Sequence, residues 1–151
     1  MKIVIQRVKE ASVSVTGEAR AAIASGLLAF VGVAKSDSAA DADYLVEKLL
    51  NLRLFSDSEG KMNLNVMQAG GSLLIVSQFT LCADCRRGRR PSFDAAAPPD
   101  VAVGLYNYLV EQARRGPVPV ATGVFQAMME VRLANDGPVT IVIDSAERGA
   151  R

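Results

Sequence analysis

Apolar and polar residues alternate at the start of the chain, a pattern that is typical of a strand with one buried face. Ile3 and Ile5 begin the alternation, and Val13 and Val15 repeat it. A Thr-Gly-Glu break at 16–18 then interrupts it. We therefore expect an extended amino-terminal segment that turns back on itself as a hairpin.

Four further apolar segments predict strands along the rest of the chain. They lie at 26–34, 72–79, 126–133 and 139–144, and the second contains the strongest apolar run of the chain. Apolar runs without polar interruption are typical of strands that are buried on both faces. We therefore expect the first two segments to be buried strands.

Two segments have the period of an amphipathic helix. Residues 38–50 carry leucines on one face, and Ser38 with Asp41 resembles a capping box at the start. Residues 100–115 follow two prolines and precede a Gly-Pro pair, which are start and stop signals for a helix. With only about two helices among strands joined by tight turns, the pattern predicts an α+β fold with a mainly antiparallel sheet.

Length and composition favour one domain. The chain has 151 residues, half of them apolar, which suits a single core without metal or disulfide support. We expect this domain to span 1–145 and the short polar end, 146–151, to be disordered. The first residues read as a strand and the longest apolar stretch is too short for a bilayer, so we expect a cytoplasmic protein with reduced Cys82 and Cys85.

The charge balance and the lack of histidine narrow the possible chemistry. Lys+Arg 17 against Asp+Glu 16 gives a formal net charge of +1, so any nucleic-acid contact must come from a local basic patch. The chain contains no histidine. Ser-His-Asp triads, Cys-His nucleophiles and His-containing metal sites are therefore excluded, and a hydrolase would need another route.

Two segments combine polar side chains with positions where a strand meets a turn. Ser77, Gln78, Phe79 and Thr80 leave the most apolar strand, where a sheet would hold a site rigidly. The same hydroxyl groups could instead satisfy backbone groups at a strand end. The sequence Asn-Asp-Gly-Pro-Val-Thr at 135–140 is ordinary hairpin-turn chemistry apart from its proline, and by itself it predicts a bare turn.

Two further segments carry charge or sulfur. Four arginines fall within five residues, at Arg86, Arg87, Arg89 and Arg90. Guanidinium groups bind phosphates in bidentate fashion, so this loop predicts either an RNA-backbone contact or a solvated basic surface. Cys82 and Cys85 have C-x-x-C spacing, but zinc needs two more ligands and the chain has no other Cys or His to supply them. A redox motif should open a helix, whereas an arginine-rich segment follows here. We therefore interpret this spacing as a coincidence.

Taken together, two of these segments resemble the two signature motifs of the D-aminoacyl-tRNA deacylase family, the D-tyrosyl-tRNA deacylases. They are Ser-Gln-Phe-Thr-Leu at 77–81 and Asn-Asp-Gly-Pro-Val-Thr at 135–140. Further similarity lies at 5–8, 59–66, 68–71 and 90–93. Either motif alone would be weak, but the pair, in order and with similarity over nearly the whole chain, is specific.

The resemblance implies a fold, a substrate and a partner. The fold would be a compact, barrel-like sheet structure with helices, working as a homodimer without a metal or another cofactor. The substrate would be the ester of a D-amino acid with the terminal ribose of tRNA, or glycine wrongly loaded on the alanine tRNA. A cis Gly137-Pro138 peptide would reach into the partner's pocket and aim two carbonyl oxygens at the substrate ammonium. Arg7 would help to hold that loop, and L side chains would be excluded by crowding.

The resemblance also implies how catalysis proceeds in a chain without histidine. Backbone N–H groups near Phe79 and Thr80 would stabilise the oxyanion, and Ser77 and Gln78 belong to the same motif. The substrate's own ribose 2′-hydroxyl would assist water. Thr80 would act as a nucleophile or would only orient the substrate, and the lack of an evident base favours orientation.

Two other classes of function remain as alternatives. A non-catalytic nucleic-acid-binding module would depend mainly on Arg86, Arg87, Arg89 and Arg90. A redox protein would depend on the two cysteines. The leading hypothesis is a metal-free ester hydrolase that acts in translation quality control.

Overall fold

The computed structural model describes residues 1–149, which form eight strands and two α-helices. In chain order the strands are β1 Lys2–Val15, β2 Glu18–Ile23, β3 Gly26–Gly32, β4 Phe55–Ser56, β5 Met62–Leu64, β6 Ser72–Ser77, β7 Val120–Thr122 and β8 Met129–Asp144. The helices are α1 Ala39–Asn51 and α2 Pro99–Arg114, with 3-10 helices at Phe79–Cys82 and Ser145–Glu147. Among residues 1–149, no helix is long and apolar enough to cross a membrane.

The six-stranded sheet is mixed. Its order is β2-β1-β3-β6-β7, and β8 also pairs with β1. Strand β8 lies along one edge of β1, whereas β3 and β2 pair with successive parts of the other edge. Strand β1 pairs antiparallel with β2, β3 and β8, whereas β6 pairs parallel with β3 and β7. The predicted antiparallel sheet therefore holds for β1 and its three partners but not for β6. Parallel neighbours need a crossover, and α1 and α2 each supply one, so two helices suffice for two parallel pairs.

The sheet buries both of its faces. One face packs against the two helices through a core that includes Ile3, Leu27, Ile75, Leu49 and Leu109. The other face curls around a second, smaller core formed by Val8, Ala11, Val13, Leu28, Leu74 and Val76. Adjacent residues of a strand point to opposite faces, so a strand buried on both sides must be apolar throughout. The uninterrupted apolar runs in β3 and β6 follow from this, and the curled sheet confirms the barrel-like expectation.

A bulge in β1 changes the face that this strand buries. Ile3 and Ile5 face the helices, but Ala11 and Val13, which have the same parity, belong to the second core. The pairing with β8 steps from Val8 to Glu10 opposite adjacent residues of β8, which leaves Lys9 as the extra residue. A bulge of this kind inverts the alternation beyond it.

Several predicted elements have different bounds. The two strands predicted at 126–133 and 139–144 are one continuous strand, β8. The strand predicted at 72–79 ends at Ser77, and the chain continues in a 3-10 helix. Within the predicted disordered segment 146–151, the structure describes part of the 3-10 helix Ser145–Glu147, and residues 150–151 lie outside the described residues. The domain bounds of 1–145 stay a prediction.

The predicted capping box at the start of α1 is confirmed. The backbone N–H and the hydroxyl of Ser38 both donate to Asp41 Oδ2, at 2.9 and 2.7 Å. Burial by itself would raise the pKa of Asp41, but the hydrogen bonds from Ser38 outweigh it and lower that pKa to about 2. The ionised carboxylate also complements the positive end of the helix dipole.

Replacing Asp41 with Asn should lower the free energy of unfolding at pH 7 by about 1 kcal/mol, because the cap loses its charge and its strong acceptor. The folded-state pKa lies below the ordinary value of 3.8. The stabilisation is therefore present above that value and is lost as the pH falls towards 2. Urea unfolding at pH 7, 4 and 2.5 checks this. Glu47→Gln, which removes an exposed charge from the same helix, is the control, and a difference that does not shrink in acid would contradict the prediction.

Candidate active site

The first signature segment leaves the sheet at the end of β6. The N–H of Gln78 donates to Val31 O at 2.7 Å, and the N–H of Leu81 donates to Gln78 O at 3.2 Å, which closes the 3-10 turn. This turn lifts Phe79 and Thr80 out of the sheet, and the Phe79 side chain is 57% exposed. The Phe79 ring meets Phe93 edge-on, with centroids 5.0 Å apart. The segment is thus held by the sheet on one side and open to solvent on the other.

A cavity of about 670 Å³ lies beside this turn. Its polar lining comes from Ser77, Gln78, Tyr106 and Gln126. Most of the remaining lining is apolar and includes Val31, Val76, Phe93, Phe125 and Met129. A mostly apolar cavity with a few convergent polar groups is the usual form of a small-molecule site.

Tyr106 is the one titratable group among the residues that line this cavity. Its hydroxyl donates to Ile75 O at 2.8 Å, and burial raises its pKa to about 12. It therefore remains a protonated donor at neutral pH and cannot act as a general base. Tyr106 was not predicted as a site residue, since on α2 it follows the pattern of an ordinary core residue.

The Thr80 hydroxyl has an amide neighbour and no base. Gln78 Nε2 donates to Thr80 Oγ1 at 2.6 Å, and no other residue in the range 1–149 hydrogen-bonds this hydroxyl. A carboxamide does not take up a proton at neutral pH, so this contact orients Thr80 without activating it as a nucleophile. The exposed hydroxyl stays free to donate to a ligand.

Two backbone donors begin the same 3-10 helix. The N–H groups of Phe79 and Thr80 precede its first internal hydrogen bonds and have no partner within residues 1–149. Unpaired N–H groups at the start of a helical turn are suited to bind an oxygen that carries negative charge. The segment therefore offers neighbouring donors beside a largely apolar cavity.

The second signature segment is a four-residue excursion of β8. Gln6 pairs with Thr140 and Val8 pairs with Asn135, so residues 136–139 lie opposite Arg7 alone. The Gly137-Pro138 peptide is cis. Asn135 ties the ends of the excursion together, because its side chain accepts from the Val139 N–H at 3.1 Å and donates to Val139 O at 3.2 Å.

Arg7 anchors this excursion to the rest of the fold. Its Nε donates to Asp136 O at 3.1 Å, and Nη1 donates to Leu54 O at 2.6 Å. The side chain of Arg7 is only 11% exposed. Gly137 has φ +120°, and a Cβ at that position would lie 2.7 Å from Arg7 Nη2, so only glycine fits under the guanidinium. Arg7 thus lies against Asp136 and Gly137 of the excursion, next to the Gly137-Pro138 peptide.

The two signature segments do not share a cavity within one chain. Ser77 pairs with Val31, which pairs with Ile3, whereas the excursion lies opposite Arg7. Measured along the sheet, four residues and three strand spacings separate them, which amounts to about 13 Å in one direction and about 14 Å in the other. None of residues 132–144 lines the cavity.

The arginine cluster lies on an exposed loop, as expected, and its members differ. Arg86 is engaged by Asp84, with Nη2 at 2.5 Å from Oδ2 and Nε at 2.9 Å from Oδ1. These hydrogen bonds hold the pKa of Asp84 well below its usual range. Within residues 1–149, Arg87, Arg89 and Arg90 form no ion pair. These three guanidinium groups are therefore available to phosphates.

Both cysteines are free thiols, as expected. Cys82 is buried, and burial raises its pKa, so its reactive thiolate form is suppressed. Cys85 is exposed. Within residues 1–149, no group of three or more Cys, Asp or Glu side chains is arranged to hold a metal ion.

Comparison with known proteins gives a consistent set of matches. The family model described as D-Tyr-tRNA(Tyr) deacylase matches residues 4–144. A D-aminoacyl-tRNA deacylase of Solibacter usitatus (strain Ellin6076) is 62% identical over 151 residues, which is 100% of both chains. A protein of the same name from Syntrophobacter fumaroxidans (strain DSM 10017 / MPOB) is 54% identical over 96% of this chain and 97% of its own.

A solved structure named c-Myc DNA Unwinding Element Binding Protein is also similar. It is 41% identical, with a TM-score of 0.90, and the match covers 95% of this chain and 98% of that one. The mixed, curled sheet is therefore shared with a relative whose name refers to DNA.

Replacing Arg7 with Ala should release the excursion at 136–139. Two hydrogen bonds from a largely buried charged group are lost, so the free energy of unfolding should fall by about 2–3 kcal/mol. Urea unfolding measures this, and hydrogen exchange of the Val139 amide should accelerate.

Gln6→Ala is the matched control for Arg7→Ala. It removes the adjacent side chain, which makes only an exposed hydrogen bond with Thr140 at 3.2 Å. It should change the free energy of unfolding by less than about 0.5 kcal/mol. Equal effects of the two substitutions would mean that Arg7 does not anchor the excursion.

Proposed function

Since the chain belongs to the D-Tyr-tRNA(Tyr) deacylase family, we propose that it hydrolyses the ester bond of D-aminoacyl-tRNA and releases the free D-amino acid and tRNA. The observation that carries this proposal is the full-length, 62% identical relative named D-aminoacyl-tRNA deacylase. The donor-bearing turn beside an apolar cavity supports it. The proposal includes glycine wrongly attached to the alanine tRNA as a substrate, and a role in cytoplasmic translation quality control.

In this proposal the backbone N–H groups of Phe79 and Thr80 stabilise the reaction's oxyanion. Water adds to the ester carbonyl carbon, the carbonyl oxygen becomes negatively charged, and the bond to the ribose oxygen then breaks. The leaving ribose oxygen takes up a proton. Preorganised neutral donors at the developing charge are usually the largest contribution to such a reaction. Their lack of partners within residues 1–149 supports this assignment.

The remaining proton transfers are assigned to the substrate. The ester of an amino acid is already activated, and the adjacent ribose 2′-hydroxyl assists the attacking water. Thr80 orients the substrate, and Gln78 holds the Thr80 hydroxyl through the 2.6 Å hydrogen bond. Ser77 contributes a polar group to the cavity wall. No protein base is needed, which agrees with a chain that has no histidine.

Selection against L-amino acids is assigned to the excursion at 136–139, acting across a homodimer. Carbonyl oxygens of the Gly137-Pro138 segment of one subunit would receive the substrate ammonium in the other subunit's cavity. An L side chain would then collide with this segment, whereas glycine, which has no side chain, would pass. The separation of the two signature segments within one chain supports this arrangement, because the excursion does not line the cavity of its own chain.

The exposed surface of β8 also supports a homodimer. Strand β8 pairs only with β1 among the described strands, which leaves its other edge unpaired. The Val142 side chain on this strand is 71% exposed. A long unpaired edge with exposed apolar side chains is normally covered by another chain.

Binding of the tRNA phosphate backbone is assigned to the arginine cluster. Arg87, Arg89 and Arg90 supply free guanidinium groups, and Arg86 contributes less because Asp84 already neutralises it. Contacts of this kind position the substrate without reading its sequence.

A second candidate function is non-catalytic nucleic-acid binding. The arginine cluster and the similarity to a structure named c-Myc DNA Unwinding Element Binding Protein favour it.

A redox role for Cys82 and Cys85 is a more distant alternative, because the buried thiol of Cys82 has a raised pKa. Alkylation of both thiols that abolished activity, with Thr80→Ala still fully active, would favour that third function.

Purified, EDTA-treated protein should hydrolyse D-tyrosyl-tRNA and leave L-tyrosyl-tRNA intact. If Thr80 orients the substrate, Thr80→Ala should lower the single-turnover rate constant about tenfold, and Thr80→Ser should retain most of the activity. Release of the radiolabelled amino acid under single-turnover conditions provides the measurement.

Two outcomes would overturn parts of this proposal. A loss of more than about a thousandfold in Thr80→Ala would identify Thr80 as a nucleophile, since removing an attacking group costs far more than removing an orienting one. Hydrolysis of neither ester by the folded wild-type protein would reject the deacylase and favour the nucleic-acid-binding module.

Substitution of Arg87, Arg89 or Arg90 by Gln should weaken tRNA binding and reduce its salt dependence. Each lost phosphate contact should lower the slope of log K against log salt concentration by about one unit. Filter binding with deacylated tRNA between low and physiological salt measures the slope. Arg20→Gln, which removes an arginine paired with Glu18 at 2.7 Å on an exposed strand, is the control. Unchanged slopes for all three variants would exclude the cluster from the tRNA interface.

A further inference from the structure

Gln126 has a backbone conformation that its side chain disfavours. Its φ is +60°, and Thr16 is the only other non-glycine residue with positive φ among those described. Side chains of L-amino acids crowd the neighbouring carbonyl in this region, so glycine is the residue that fits it best. This chain nevertheless carries glutamine at a position whose backbone conformation favours glycine.

The two residues with positive φ differ in what their side chains do. The Thr16 hydroxyl donates to the adjacent carbonyl of Val15 at 2.7 Å, so a local contact accompanies its conformation. The Gln126 carboxamide makes no hydrogen bond with any of residues 1–149. The Gln126 carboxamide therefore contributes no hydrogen bond that stabilises the described fold. Backbone strain of this kind is frequent at functional sites, where it directs a side chain towards a ligand.

The turn that carries Gln126 is fixed to the strand that carries the signature segment. The N–H of Gly123 donates to Ile75 O in β6 at 3.0 Å, and the N–H of Ala127 donates to Val124 O at 3.2 Å. Gln126 lines the same cavity as Ser77, Gln78 and Phe79, and it is exposed. Its carboxamide therefore lies at the solvent side of the cavity, with both its donor and its acceptor unused.

We infer that Gln126 is a specificity-determining residue that hydrogen-bonds the base of the terminal nucleotide of the aminoacyl-tRNA, an inference that rests on the proposed function. The end of tRNA is an adenosine, whose base presents a donor and an acceptor side by side. A glutamine carboxamide matches this pair with its own acceptor and donor. The exposed ring of Phe79, in the same cavity, offers a surface on which such a base can stack.

The position of Gln126 favours the nucleoside over the aminoacyl group. The reacting carbonyl must lie at the N–H groups of Phe79 and Thr80, so the two parts of the substrate diverge from that point. The interior of the cavity is largely apolar, with Val31 and Val76 in its wall, and suits the amino-acid side chain. The exposed carboxamide of Gln126 is therefore placed to contact the nucleoside, which is the part of the substrate nearer to solvent.

The test measures binding of non-hydrolysable amides of 3′-amino-3′-deoxyadenosine that carry D-tyrosine or glycine, together with their hypoxanthine counterparts. Isothermal titration compares the wild type with Gln126→Gly and Gln126→Glu. Glutamate keeps the length and the backbone strain but loses the N–H donor, whereas glycine removes both the side chain and the strain. Both variants should bind the two adenosine compounds about tenfold more weakly. Gln126→Gly should also lose the preference for adenine over hypoxanthine, whereas Gln126→Glu keeps the acceptor for the adenine amino group and should retain that preference.

A stability measurement separates loss of recognition from loss of folding. Gln126→Gly should raise Tm by about 2–4 °C because it relieves the positive φ, and Gln126→Glu should leave Tm nearly unchanged. A more stable protein that binds the adenine base less well cannot be explained by misfolding.

Other results would overturn the inference. Unchanged affinities in both variants would show that Gln126 takes no part in binding. Weaker binding of the D-tyrosyl compound alone would assign the carboxamide to the amino-acid side chain. Wild-type protein that binds the adenosine compounds through Gln126 but does not hydrolyse D-tyrosyl-tRNA would refute the proposed function separately.

Discussion

The pairing of β1 along both of its edges is the constraint on which the rest of the structure depends. This strand pairs with β8 over nearly its whole length, and with β3 and then β2 on the other edge. A one-residue slip would exchange its buried and exposed faces, so the positions of Ile3 and Ile5 against the helices fix the register. The bulge at Lys9 then transfers the second half of the strand to the smaller core. Both cores thus receive side chains from this one strand.

Arg7 links β1 to the second signature segment. It has the parity of Ile3 and Ile5, and its side chain accordingly reaches the helix side of the sheet, where it donates to Leu54 O. The same guanidinium donates to Asp136 O and covers Gly137. The excursion of β8 is therefore tied to the register of β1 by one side chain. The proposed exclusion of L-amino acids by this loop needs this rigidity, because selection by steric exclusion fails if the excluding group can move aside.

Local signals in the sequence were enough to predict the local elements. The capping box of Ser38 and Asp41 predicted the start of α1, and the apolar runs predicted β3 and β6, since burial on two faces leaves a continuous pattern. The parallel pairing of β6 was not predictable in this way, because direction depends on which helix crosses over which strand. The cavity wall at Phe125 and Gln126 was also missed. The positive φ of Gln126 is a property of the folded backbone, and the residue type gives no indication of it, because glutamine rarely adopts this conformation.

The electrostatic character of the cavity agrees with the assignment of catalysis to neutral donors. Tyr106 is the one titratable group among its lining residues, and its pKa of about 12 keeps it protonated in the range where proteins work. Ser77, Gln78 and Thr80 are neutral at any such pH. One chain therefore offers hydrogen-bond donors and apolar contacts but no group poised to exchange a proton near neutrality. In the proposed mechanism these groups are sufficient for an activated ester, since they stabilise the oxyanion and orient the substrate, and the substrate supplies its own hydroxyl. The proposed mechanism therefore suits activated esters, because a peptide bond or an unactivated ester would need an acid or a base that the residues lining the described cavity do not supply.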